Sequence, residues 1–300
     1  MFFNRIIVLL ITSTIFISCS SSYEFLSNNS FFPEDEFSRH LLIEYKNKAQ
    51  FEAEEMHDWN SAKLYSEKAL KAVEGIKIKP EKIELWNLSQ NHYLELKKAY
   101  DNLSQVYEIA FKNNPKNLAI AISSLDCWSE QQEEGWQTWD IEKCKNDYLK
   151  AMHYIYEEIH KNEKNNDNNL KNKTEKKSGD SVVLVTKNKN KKILQIIYFD
   201  FDKSKLTNVN IKEIKSFLDE NKKNINKYLI VGHTDTKGKI DYNINLSLDR
   251  AKAVKNILIN YGIEKNQIKL LGKGEGDLAI KTSDETAHPA NRRVEISPIN

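Results

Sequence analysis

The sequence predicts two structural regions, an all-α helical region followed by an α+β domain in the C-terminal third. Between residues 35 and 162 apolar side chains recur at helical spacing, and no segment has a strand pattern. After residue 186 short apolar strands alternate with two segments of helix length. A chain of 300 residues has room for roughly two domains. The net charge of +2 argues against a nucleic-acid-binding protein, which needs a concentrated basic face.

The N-terminal segment has the pattern of an export signal. Arg5 is followed by a mostly apolar run over residues 6–17. The run is too short to cross a bilayer as a helix, which takes about 20 residues, but it suits a signal peptide. It ends at Ser18 and Cys19, and serines follow.

This segment resembles a bacterial lipobox. The resemblance implies that residues 1–18 are a lipoprotein signal peptide and that Cys19 is acylated, with chains such as palmitate anchoring the protein to a membrane. Phe16 stands where such signals usually have Leu, and an ordinary secretory signal is the alternative. By resemblance to the sorting rules, Ser20 favours the periplasmic face of the outer membrane.

The segment after Cys19 is rich in Ser and Asn, and we expect residues 19–34 to be a tether. The helical region over residues 35–162 has an amphipathic stripe in which Leu96, Tyr100, Leu103 and Tyr107 recur three and four residues apart. A 34-residue period is lacking, so helical repeats are disfavoured. The predicted helices cover residues 36–57, 59–75, 80–113, 116–134 and 139–162.

Cys127 and Cys144 fall in two predicted helices that are joined by a turn at Gly135. Antiparallel helices could bring the two thiols together, and an exported protein meets an oxidising compartment. The sequence leaves open whether they form a disulfide or are two separate buried thiols.

Residues 163–185 are expected to form a flexible linker, because their Lys, Asn, Glu and Asp cannot bury a core. The C-terminal domain over residues 186–300 follows in the order βαβαββ. The pattern predicts an α+β layer with helices on one face of a sheet. The strands are predicted at 193–199, 228–232, 267–271 and 292–297, and the helices at 208–222 and 241–261.

The C-terminal third resembles the OmpA-like peptidoglycan-binding domain, which occurs in outer-membrane porins, peptidoglycan-associated lipoproteins and flagellar stator proteins. The motifs that carry the resemblance occur in order at matching spacings. They are Phe199 and Asp200 with Ser204 and Leu206; Gly232, His233, Thr234 and Asp235; Gly238; Tyr242 and Asn243; Leu246 and Ser247; Arg250 and Ala251; Gly272, Lys273, Gly274 and Glu275; and Asn291, Arg292, Arg293, Val294 and Glu295.

A binding site is expected where the second helix of this domain begins. Arg250 and Asn243 share a helical stripe with Val254, and an Arg on such a buried face needs partners. The resemblance implies that Asp235 binds the ammonium and Arg250 the carboxylate of diaminopimelate in the peptidoglycan stem peptide, because a guanidinium can hold a carboxylate with two hydrogen bonds. The alternative is a purely structural ion pair between the two. The expected site is Asp235, Arg250, Asn243, Thr234, Leu246, Asp200 and Arg293, with Thr207 and Asn208 as further donors.

No sequence motif indicates an enzyme, a metal or a cofactor. The chain lacks HExxH, a Cys/His ligand spacing and a Gly-x-Ser-x-Gly elbow. We expect a non-catalytic outer-membrane lipoprotein that links the membrane to the wall. An adaptor whose helical region recruits an envelope protein is the alternative, and a wall hydrolase is disfavoured.

Overall fold

The computed structural model describes residues 21–135, 137–174, 194–221 and 225–299, in two compact units, Met1–Ile78 and Lys79–Asn300. Cys19, the predicted signal peptide and the predicted linker from residue 175 onward lie outside the described residues, so these predictions remain untested. Among the residues described, no helix is both long and apolar enough to cross a bilayer.

The first unit is helical and begins with a helix where the sequence predicts a tether. Helix α1 (Ser21–Asn28) lies within the predicted tether 19–34, and its Leu26 is fully buried. Helices α2 (Glu36–Phe51) and α3 (Trp59–Val73) follow, joined through a π-helical turn. The tether prediction is therefore wrong for residues 21–28, which form a helix with a buried leucine although half of them are Ser or Asn.

The helices of the second unit differ from the prediction at two ends. Helix α4 (Gln90–Asn113) begins after Ser89, whose hydroxyl caps it, and not at residue 80. The segment before it is held by a hydrogen bond of 2.7 Å from the Glu81 amide to the Asp126 carboxylate. Helix α5 (Pro115–Glu134) has the predicted bounds within one residue. Helix α6 (Thr138–Thr174) continues beyond residue 162 into the predicted linker 163–185.

Cys127 and Cys144 are joined by a disulfide in the structure, with the Cα atoms 5.7 Å apart. The bond connects α5 to α6 next to the buried ring of Trp128. Gly135, which ends α5 at a φ of 71°, supplies the left-handed turn that reverses the chain. Of the two alternatives that the sequence leaves open, the structure has the disulfide.

The C-terminal domain has the predicted α+β fold. Its four strands are β1 (Gln195–Tyr198), β2 (Tyr228–Gly232), β3 (Ile268–Gly272) and β4 (Arg293–Pro298), in the order β1-β4-β2-β3. Strand β4 is antiparallel to both neighbours, whereas β2 and β3 are parallel. Helices α7 (Asn208–Asn221) and α8 (Ile240–Asn260) form the second layer.

The core of this domain lies between the sheet and these two helices. Ile197, Ile230 and Ile296 of the sheet pack with Ile214 and Val254 of the helices, and all five are fully buried. On neighbouring strand positions Ile196 and Tyr198 are also buried, since α6 contacts β1. The sheet is therefore covered by helices on both faces in this region.

Gly232 brings α8 unusually close to the end of β2. A Cβ atom at this position would lie 1.9 Å from the carbonyl oxygen of Ser247. Only a residue without a side chain allows this approach. The contact places the first half of α8, with Asn243 and Arg250, beside the loop that starts at His233.

Candidate functional site

Asp235 is a buried carboxylate that is held from one side. Only 3% of the surface of Asp235 is exposed to solvent. Oδ2 accepts hydrogen bonds from the backbone N–H of His288 at 3.0 Å and from Nη1 of Arg292 at 3.1 Å. Oδ1 accepts no hydrogen bond from the described residues. The carboxylate is thus fixed in orientation while one of its oxygens stays available.

Arg292 is the ion-pair partner of Asp235, which the sequence analysis did not assign. It also donates from Nε to the carbonyl of Phe199 at 3.1 Å. The structural ion pair between Asp235 and Arg250, considered as the alternative from the sequence, is not present among the described contacts. Arg292 was visible only as part of the motif at the start of β4, and nothing in its spacing distinguishes it from its neighbour Arg293.

Arg250 is fully buried and its guanidinium donates to main-chain carbonyls. Nη1 donates to His233 at 2.9 Å, Nε to Lys203 at 2.8 Å and Nη2 to Asp200 at 3.2 Å. The guanidinium also lies over the ring of Phe199. Burial lowers the pKa of Arg250 to about 10, so the side chain stays charged at neutral pH.

Asp235 and Arg250 line one cavity of about 390 Å³, called here the Asp235 cavity. It opens between the loop after β2 and the first turns of α8. The lining residues are Phe201, Asp202, Asp235, Lys237, Gly238, Lys239, Tyr242, Asn243, Leu246 and Arg250.

Asn243 ties the loop that carries Asp235 to α8. Its Nδ2 donates to the carbonyl of Asp235 at 3.3 Å and to Oε2 of Glu275 at 2.6 Å. Leu246, one turn further along α8, adds an apolar wall to the cavity. Four predicted site residues therefore meet at the cavity: Asp235, Arg250, Asn243 and Leu246.

The other predicted site residues do not line this cavity. The amide of Thr234 donates to Gly274, and its buried hydroxyl has no hydrogen-bond partner among the described residues. Asp200 contributes its carbonyl to Arg250, while its exposed carboxylate pairs with Lys203. The guanidinium of Arg293 pairs with Glu295 at 2.8 Å.

The first turn of α7 was also expected to offer donors to a ligand, and its geometry argues against this. Thr207 and Asn210 bond reciprocally, each side chain accepting from the amide of the other at 3.1–3.2 Å. Thr207 and Asn208 line a different groove, next to α6. The amides at this helix start are thus partly used by the protein itself.

Two buried histidines adjoin the site and stay neutral at physiological pH. Burial lowers the pKa of His233 and of His288 to about 4. Nδ1 of His233 contacts the carbonyl of Asp277 at 3.0 Å, and His288 holds Asp235 through its backbone N–H. Both residues act here as supports of loops.

The comparisons with known proteins agree on this part of the chain. Residues 198–292 match the OmpA family. Outer membrane porin F of Pseudomonas aeruginosa is 38% identical over 101 residues, which are 33% of this chain and 29% of the porin. The peptidoglycan-associated lipoprotein of Pseudomonas putida is 33% identical over 99 residues, 33% of this chain and 60% of the relative. The crystal structure of the peptidoglycan-associated lipoprotein from Burkholderia pseudomallei is 27% identical, covers 34% of this chain and 87% of that one, and has a TM-score of 0.31.

The matched part of this chain spans less than two thirds of the length of these two relatives. The family match over residues 198–292 contains β2, β3, α7, α8 and the residues that line the Asp235 cavity. The alignments with the two relatives that are more than 30% identical each cover 33% of the chain, a length similar to that of the family match. The C-terminal region of this chain is therefore an OmpA family domain.

Proposed function

We propose that the Asp235 cavity binds the diaminopimelate residue of the peptidoglycan stem peptide. The observation that carries the proposal is a carboxylate and a guanidinium that line the same cavity without neutralising each other. Such a pair is complementary to a carbon that bears both an ammonium and a carboxylate.

The unused hydrogen-bonding groups match this ligand. Oδ1 of Asp235 accepts the ligand ammonium. Arg250 uses three of its five N–H groups on protein carbonyls, which leaves two for the ligand carboxylate. Since both protein groups are already held by hydrogen bonds within the protein, binding costs little side-chain entropy.

The names of the relatives support the wall as the source of this ligand, because several are peptidoglycan-associated lipoproteins. For the whole chain we propose a non-catalytic lipoprotein on the periplasmic face of the outer membrane. Its lipid on Cys19 holds the membrane and its C-terminal domain holds the wall.

The test of the cavity is binding of a soluble stem peptide that contains diaminopimelate to the chain from Ser20 to Asn300. The matched ligand has lysine in place of diaminopimelate and lacks only the side-chain carboxylate. We expect calorimetry to show binding of the first peptide and at least tenfold weaker binding of the second, the loss of one charge-assisted contact.

The matched protein variant is Asp235→Asn, which keeps the shape and removes the charge. It should abolish binding while the circular dichroism spectrum stays that of the wild type. Lys252→Met, which removes a charge from the exposed face of α8, should bind normally. Equal binding by wild type and Asp235→Asn would show that this cavity does not hold the stem peptide.

A further inference from the structure

The peptide group between Ala287 and His288 connects α4 to the Asp235 cavity. Its N–H, on His288, donates to Oδ2 of Asp235 at 3.0 Å. Its carbonyl, on Ala287, accepts from Nζ of Lys98 in α4 at 3.1 Å. One planar group therefore has a cation at its oxygen and a carboxylate at its nitrogen.

A second residue of α4 holds the side chain of His288. The side-chain amide of Asn102 lies 3.2 Å from Nε2 of the ring. Nδ1 accepts the backbone N–H of Ala290 at 3.2 Å, so in the neutral ring the hydrogen is on Nε2. Asn102 must then present its amide oxygen, an orientation that a 180° flip of the amide provides.

The contact between α4 and this loop is also packed. Ala99 of α4 and Met152 of α6 meet Pro289 and Ala290 around a small cavity of about 30 Å³. The hydroxyl of Tyr148 in α6 donates to the carbonyl of Ala99 at 2.7 Å, which fixes α4 at this point. Helices α4 and α6 therefore contact the loop that carries His288 at a defined position.

We propose that Asn102 and Lys98 of α4 are positioning residues for the peptidoglycan site, acting on Asp235 through His288. This inference rests on the proposed function of the Asp235 cavity. It gives the helical region a task at that site: α4 fixes the ring and the carbonyl on either side of the N–H that orients the carboxylate.

The physical reason is that His288 is the N-cap of the short 3-10 helix Pro289–Asn291, so no hydrogen bond within a strand or helix fixes its N–H. A hydrogen bond at a carbonyl polarises the same peptide group and strengthens what its N–H donates. Lys98 is exposed, so water weakens its contribution. The ring of His288 is buried, and therefore Asn102 is expected to contribute more.

The test measures binding of the diaminopimelate peptide by the chain from Ser20 to Asn300. Asn102→Leu keeps the size and removes the acceptor, whereas Asn102→Asp keeps an acceptor for Nε2–H. We expect at least fivefold weaker binding for Asn102→Leu, the lower end of coupling between linked groups, and near wild-type binding for Asn102→Asp. Lys98→Met should weaken binding by about twofold, and Lys98→Arg should restore it.

Matched controls on α4 are Gln105→Leu and Lys97→Met, which make the same chemical changes away from the loop. A general loss of stability would weaken both Asn102 variants alike and would appear in thermal unfolding. Wild-type affinity for Asn102→Leu, or equal loss in Asn102→Leu and Asn102→Asp, overturns the positioning role. If Asp235→Asn alone abolishes binding in that case, the proposed function stands; if it binds normally, the proposed function fails first.

Discussion

Oδ2 of Asp235 lies 3.1 Å from Nη1 of Arg292, and both side chains are less than a tenth exposed. The partner is therefore the residue that directly precedes β4, the strand next to β2 in the sheet. Arg250, on the other side of the cavity, donates its hydrogen bonds to main-chain carbonyls and lies over the ring of Phe199. The two charges of the cavity therefore form no direct ion pair with each other among the described contacts.

Replacing Arg292 tests its buried ion pair with Asp235. Arg292→Met leaves the Asp235 carboxylate buried without its cation, so we expect the free energy of unfolding to fall by about 3 kcal/mol. Denaturant unfolding measures this. Lys252→Met, which removes an exposed pair with Asp249, should cost less than about 1 kcal/mol. An equal fall in the free energy of unfolding of the two variants would show that the buried pair stabilises the fold no more than the exposed pair does.

The two buried histidines predict a loss of stability in mild acid. The pKa of His233 is about 4 in the folded protein and about 6.5 in the unfolded chain, so between these values only the unfolded chain takes up the proton. The free energy of unfolding should therefore fall as the pH drops from 6.5 to 4.

The variant His233→Asn retains a donor for the carbonyl of Asp277 and does not titrate. Between pH 6.5 and pH 4 the free energy of unfolding should fall in both chains. In the variant the fall should be smaller by up to about 3 kcal/mol. Comparing the two chains at each pH removes the opposite effect of Glu213, whose pKa burial raises to about 7. Parallel curves for both chains would contradict a neutral buried His233.

The disulfide should stabilise the helices of the second unit. Opening a loop with a sequence separation of 17 residues costs about 3 kcal/mol in the chain-entropy description. We expect the double variant Cys127→Ser with Cys144→Ser to unfold at a correspondingly lower denaturant concentration. A reducing agent should shift the wild type to the same midpoint and leave the variant unchanged. A midpoint in the variant equal to that of the oxidised wild type would contradict this.

Gly232 should tolerate no side chain. In Gly232→Ala the new Cβ would overlap the backbone of Ser247, so α8 must move, and we expect a loss of about 3 kcal/mol together with weaker peptide binding. Gly276→Ala is the control, because its Cβ would approach the Lys273 carbonyl only to 3.1 Å. Similar melting temperatures for the two variants would show that α8 can shift to make room for the Cβ atom at little cost in stability.

The sequence predicted the C-terminal fold well because its patterns are local. Strand β2 was predicted with its observed bounds, and α8 within one residue, since apolar spacing and Gly262 define them. The helical stripe also placed Arg250 on the buried face of α8. The prediction was wrong where contacts distant in sequence decide the structure. The start of α4 is an example, because the segment before it is held by the hydrogen bond from the Glu81 amide to Asp126.

The site was predicted in part for the same reason. Asp235, Asn243, Leu246 and Arg250 fall within 16 residues and share one loop and one helix face, so the motif locates them together. Arg292 and His288 come from a loop more than 50 residues later, and only the antiparallel pairing of β2 with β4 brings that loop to Asp235. Residue spacing carries no information about such a pairing.

The position of β4 has a consequence for the order in which the domain can assemble. This strand follows every other strand in the chain, yet it lies between β1 and β2 in the sheet. Before it is available, β1 has no neighbour, and β2 and β3 form only a two-stranded ribbon, which is marginally stable in water. Folding of the C-terminal domain therefore waits for the final strand, and a chain that is still being synthesised remains open up to that point.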